Sequence, residues 1–143
     1  MNVQFTVPGQ PVAKGRPKFT TVGGFARTYT PKKTADYESL VASCALRAMK
    51  YGKATSQPIE IMMELRMAIP ASWSKAKRAA AAAGTVRATK KPDADNVLKG
   101  IKDALNGICW VDDSQVVVLT VRKLYAAEPC VIVAVRVVEG EAA

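Results

Sequence analysis

Apolar and polar positions alternate at Val3, Phe5 and Val7, and this predicts a strand over residues 2–7, ended by Pro8-Gly9 and Pro11. Residues 9–26 are rich in Gly, Pro and basic side chains and read as a loop or loose hairpin. Phe25 to Tyr29 reads as a short strand. Thr30-Pro31 looks like an N-cap followed by Pro at the first helical position. Tyr37, Leu40, Val41, Cys44, Ala45 and Ala48 then recur at helical spacing, giving a helix to about Lys50 with one apolar face.

Ile59, Ile61, Met63, Leu65 and Met67 return to a period of two, as a half-buried strand does. The alanine run Ala79–Ala83 predicts a short surface helix over Ala71–Ala83, stopped by Gly84. A helical linker and a DNA-contacting arm are equal readings of it. Gln115 to Leu124 is β-branched and mostly apolar, so a central position in the sheet is expected. Val131, Val133, Val135 and Val137 form one face of a last strand, expected to pair with its predecessor through Ala126–Pro129. The expected fold class is α+β, mixed α/β. It is one domain over residues 1–143, a mixed sheet of about four strands with two main helices packed on it and a basic N-terminal hairpin.

Between these elements, Pro92 keeps Lys91 out of the helical region, and Asp95 sits where an N-cap belongs, ahead of a helix running to about Asn106-Gly107. Val97, Leu98, Ile101, Ala104 and Leu105 make its buried stripe. Asp95 and Lys99 stand at i and i+4 on the opposite face.

Composition changes the picture here. The chain has 143 residues, a net charge of +9 and no His. Residues 1–35 carry Lys14, Arg16, Lys18, Arg27, Lys32 and Lys33 and no acid. Residues 65–92 carry Arg66, Lys75, Lys77, Arg78, Arg87, Lys90 and Lys91, again with no acid. Such blocks suit a phosphate backbone, with solvated surface as the plainer reading. Yet five of the twelve acids, Asp93, Asp95, Asp103, Asp112 and Asp113, crowd into one short stretch.

Without His, Ser-His and Cys-His catalysis and His-bound zinc are excluded. Cys44, Cys109 and Cys130 are widely spaced and read as reduced core thiols. Neither a signal peptide nor a membrane span is expected, and the default is a cytoplasmic protein. Carboxylates alone suit Mg²⁺, with Mn²⁺ as substitute. Asp93 and Asp95, two apart on an extended approach, can reach one ion.

Asp113 enters only after the helix has ended, and the 12 residues from Asp95 to Asn106 rise ~18 Å. Either something bridges that gap within one chain, or a second chain supplies part of the site. Each acid also has a simpler reading, Asp95 as a helix cap and Asp112-Asp113 as turn residues. Trp110 reads as core in preference to a base-stacking residue.

The run Lys91-Pro92-Asp93-Ala94-Asp95-Asn96-Val97-Leu98-Lys99, followed by Asp103-Ala104-Leu105-Asn106-Gly107 and Trp110-Val111-Asp112-Asp113-Ser114-Gln115, resembles the RusA family of Holliday-junction resolvases. Pro8 to Pro17 and Tyr29-Thr30-Pro31 look like its longer-armed, phage or prophage-like branch. The resemblance implies a homodimeric, Mg²⁺-dependent endonuclease that nicks four-way DNA junctions symmetrically in recombination and repair. It makes Asp93, Asp95 and Asp113 metal-binding and catalytic, with Lys99 as catalytic lysine. Asp103 and Asp112 match acids of less certain role.

On this reading residues 9–33 are a basic arm and 90–115 the catalytic segment, with Lys14, Arg16, Lys18, Arg27, Lys90 and Lys91 contacting DNA. The competing readings are a non-catalytic DNA-structure-binding protein and a metal-dependent nuclease acting on other branched DNA or on RNA.

Overall fold

A computed structural model describes residues 1–16 and 18–143, without the side chains of Lys18 and Val22. In chain order the elements are β1 (Asn2–Pro8), β2 (Lys18–Val22), β3 (Phe25–Tyr29), α1 (Lys32–Ala48), β4 (Ile59–Ala68), α2 (Lys75–Ala82), α3 (Ala94–Leu105), a single 3₁₀ turn (Asp113–Gln115), β5 (Val116–Ala126) and β6 (Cys130–Val137). They form one α+β domain: a four-stranded mixed sheet in the order β1-β6-β4-β5, and a separate two-stranded sheet of β2 and β3. Among the described residues, no helix is long and apolar enough to cross a membrane.

Strict alternation decides the centre of the sheet. Every second residue of β4, from Ile59 to Met67, is buried, and so are Val131, Val133 and Val135 of β6. These two strands pair antiparallel along most of their length. Against the same face pack α1, through Tyr37, Val41 and Ala45, and α3, through Val97, Ile101 and Leu105.

Two expectations about the sheet are overturned. β5 is an edge strand, paired in parallel with β4. Its Val117, Val118 and Leu119 are 58%, 40% and 42% exposed. Nor does β6 pair with β5, because β4 lies between them. The crossover through α2 and α3 delivers β5 parallel to β4. The short link at 127–129 then steps over the end of β4, a distance of about 10 Å, two strand spacings.

Helix starts also differ from expectation. α1 is capped by Pro31 rather than Thr30, with no side-chain bond. Thr34 in its first turn is buried and accepts a hydrogen bond from Gly15 N at 2.8 Å, which ties the N-terminal arm to the helix. α2 begins at Lys75, not Ala71, because the Ser74 hydroxyl accepts from Lys77 N. Gly84, at φ +85°, ends the segment as expected. Trp73 meets Tyr125 edge-on at 5.3 Å and carries the Lys77 ammonium over its ring at 4.0 Å, docking α2 on β5. All three cysteines are free.

Candidate active site

The start of α3 corrects the expected cap. Asp93, not Asp95, is the N-cap residue, in an extended conformation, and its carboxylate makes no capping bond. Asp95 lies in the first helical turn instead. There the helix dipole favours an anionic side chain. The approach is held from β5: the Lys123 ammonium donates to the carbonyls of Lys90 at 2.8 Å and Pro92 at 3.0 Å. No local pattern in the sequence could point to Lys123, which is remote from the segment it holds.

Asp113 arrives from the other side. The segment before β5 is fastened by Gln115. Its Oε1 accepts from Val111 N (2.9 Å) and Asp112 N (2.7 Å), and its Nε2 donates to the carbonyls of Thr55 (2.8 Å) and Gln57 (2.9 Å). Asp112 caps the 3₁₀ turn by accepting from Ser114 N at 2.9 Å and from the Ser114 hydroxyl. These bonds favour its ionised form and hold its carboxyl below the usual range. Asp112 and Gln115 thus complete a capping box, and the Asp-x-x-Gln spacing was its signal in the sequence.

Asp113, next in line, is left to face the cleft. Its Oδ1 accepts from the indole N–H of Trp110 at 2.8 Å. Trp110 is fully buried, as expected of core, and this bond fixes the carboxylate against the body of the protein. Nearby Cys109 is buried too, which pushes its thiol up to about 11 and leaves it inert.

Asp95, Leu98, Lys99, Lys102, Asp103 and Asp113 line one open cleft of about 270 Å³. Asp95, from the start of α3, and Asp113, from the entry to β5, thus border the same cleft of one chain. Asp93 is not part of that lining. Among the described residues no three acid or thiol side chains are close enough to cage an ion by themselves. Two carboxylates on an open cleft still fit Mg²⁺, which keeps several waters and takes oxygens from a substrate phosphate.

Asp103 has a further partner. Lys14 meets it at 2.7 Å and Glu38 of α1 at 2.8 Å. Burial alone would lower the lysine's pKa, but the hydrogen bonds and charges of Asp103 and Glu38 outweigh it and the net shift is upward. Lys14, expected to touch phosphate, is therefore committed to two carboxylates. Arg16, Arg27, Lys90 and Lys91 are exposed, while the side chain of Lys18 lies outside the described residues.

Carboxylates and a lysine converging on an open cleft, in a chain this cationic, fit the class of small nucleases. Comparison with known proteins narrows the class: residues 8–136 match the family described as Endodeoxyribonuclease RusA, and the chain belongs to that family. It is also 40% identical, over 140 residues, to the uncharacterized protein YqaN of Bacillus subtilis (strain 168), a match that covers 96% of this chain and 98% of that one.

Proposed function

We propose that this protein is a Mg²⁺-dependent, structure-selective endonuclease that resolves four-way DNA junctions by paired, symmetric nicks. The observation that carries the reading is the meeting of Asp95, Lys99 and Asp113 on one cleft of a cationic RusA-family chain. Asp95 and Asp113 would hold the ion, and Asp93, with no capping bond to make, has a carboxylate free to join them when substrate is bound. Bound Mg²⁺, or Mn²⁺ in its place, supplies the Lewis acidity that such hydrolysis draws on.

The side chains do the rest. Lys99, one turn beyond Asp95, places a fixed cation where negative charge builds on the phosphate. Trp110 orients the Asp113 carboxylate. Arg16, Arg27, Lys90 and Lys91 grip the DNA backbone.

Symmetric cutting calls for two active sites, and the β5 edge supports a homodimer. Val117, Val118 and Leu119 leave an apolar strand edge open to solvent, and such an edge is a template for pairing with another chain.

The test is a nicking assay on a labelled four-way junction, with and without Mg²⁺, with Asp95→Asn alongside. The expected result is paired cuts that need both the metal and Asp95, with junction binding retained by the variant. Cutting by Asp95→Asn would refute the assignment. Wild-type binding without cuts under Mg²⁺ or Mn²⁺ would make the protein a binding module.

A further inference from the structure

The hairpin of β2 and β3 is a sheet of its own, turned by Gly23-Gly24, both at positive φ. Two-residue turns of this kind join tightly twisted strands. Every described side chain in it is exposed, although three are aromatic: Phe19 is 77% exposed, Phe25 73% and Tyr29 49%. A lone two-stranded hairpin is marginal in water, and uncovered aromatics do nothing to stabilise it. Its sequence thus suits an occupant outside the domain.

The register shows what that occupant must look like. Phe19 lies opposite Thr28, Thr20 opposite Arg27 and Thr21 opposite Ala26. Side chains alternate along a strand, so Phe25, Arg27 and Tyr29 share one face and Phe19 lies on the other. A protein groove would cover a single face. A gap between two unstacked bases touches both faces at once, and every base offers a π-surface to an aromatic ring. Charge favours the same occupant, since residues 1–35 carry six cations and no acid.

The segment ahead of the hairpin is fastened to both α1 and α3. Lys14 N donates to the carbonyl of Asn96 in α3 at 3.1 Å, the Lys14 ammonium pairs with Asp103, and Gly15 N donates to Thr34.

We propose that the β2–β3 hairpin is a wedge that enters the open centre of branched DNA and stacks unpaired bases on Phe25 and Tyr29 on one side and on Phe19 on the other. This rests on reading the cleft as a nuclease site for branched DNA. The experiment is photocrosslinking in EDTA, so that nothing is cut. 5-Iododeoxyuridine is placed at the centre of a four-way junction, in an unpaired bubble, or within a duplex arm.

Cross-links from the first two positions are expected at Phe19, Phe25 or Tyr29, and none of these from the arm. The Phe19→Ala/Phe25→Ala variant should bind junction and bubble about tenfold or more weakly, with duplex affinity and salt slope unchanged. Phe25→Trp should keep wild-type binding. Cross-links elsewhere, or wild-type junction affinity in the double alanine variant, would overturn the wedge. Loss of dimer by that variant, with DNA affinity intact, would overturn it too and give the hairpin to a second copy. Hairpin cross-links to the bubble without any junction preference would uphold the wedge and refute the resolvase reading.

Discussion

The indole N–H of Trp110 points at Oδ1 of Asp113 across 2.8 Å, joining a fully buried ring to a carboxylate on the cleft. Groups that orient a ligand through one hydrogen bond commonly change metal affinity or activity by about 10–100-fold when removed. Trp110→Phe keeps an aromatic ring in the core and removes the donor. Nicking should fall by about that factor, with a higher Mg²⁺ requirement and unchanged junction binding. An unchanged Mg²⁺ titration would show that the bond serves the fold alone.

Asp112 and Asp113 are neighbours with different work. Asp112 accepts from Ser114 and caps the 3₁₀ turn, whereas Asp113 lines the cleft. Asparagine caps about as well as aspartate, so Asp112→Asn should cut junctions nearly as the wild type does. Asp113→Asn keeps the shape and removes the charge, and cutting should drop on the order of a hundredfold or more. Equal losses in the two variants, measured as nicking rates at saturating junction, would contradict this division.

Lys14 links the N-terminal arm to α1 and α3 through Glu38 and Asp103. Its pKa in the folded state is raised above 10.5, so the ion pairs stabilise the protein fully below that value. The contribution is lost as pH rises through the raised value. Lys14→Met should therefore melt below the wild type at neutral pH, and the difference should shrink in strongly alkaline buffer. The salt slope of DNA binding should stay near wild type, because this ammonium is already paired. A slope lower by about one would return Lys14 to the phosphate contacts.

Much of the fold was legible because its signals are local. The alternation from Ile59 to Met67, the apolar stripe of α3 and the valines of β6 each record which face is covered. The order of strands was misread at β5 for a physical reason. A β-branched, mostly apolar run is what a sheet centre needs, yet β5 carries one at an exposed edge. Composition alone does not tell a covered strand from an exposed edge.

At the site, Asp93 and Asp95 are both cap-type residues, and the tether from Lys123, remote in sequence, holds the approach to the helix. Lys14 read as a free cation because Glu38 and Asp103 reach it only in the fold.

The edge at Val117, Val118 and Leu119 is the feature the single chain leaves unexplained, and the proposed homodimer accounts for it. Lysine is a residue that protects natural strand edges, since burying its charge against a partner is costly. Val118→Lys and Leu119→Lys lie at already exposed positions, so both variants should fold and keep the melting behaviour of a monomeric domain. Sedimentation should find the wild type as a dimer and the variants as monomers. On a junction, the monomers should leave single nicks that are not matched on the opposing strand. A wild type that sediments as a monomer would end the edge-pairing account. A variant that stays dimeric and cuts in pairs would move the interface elsewhere on the surface.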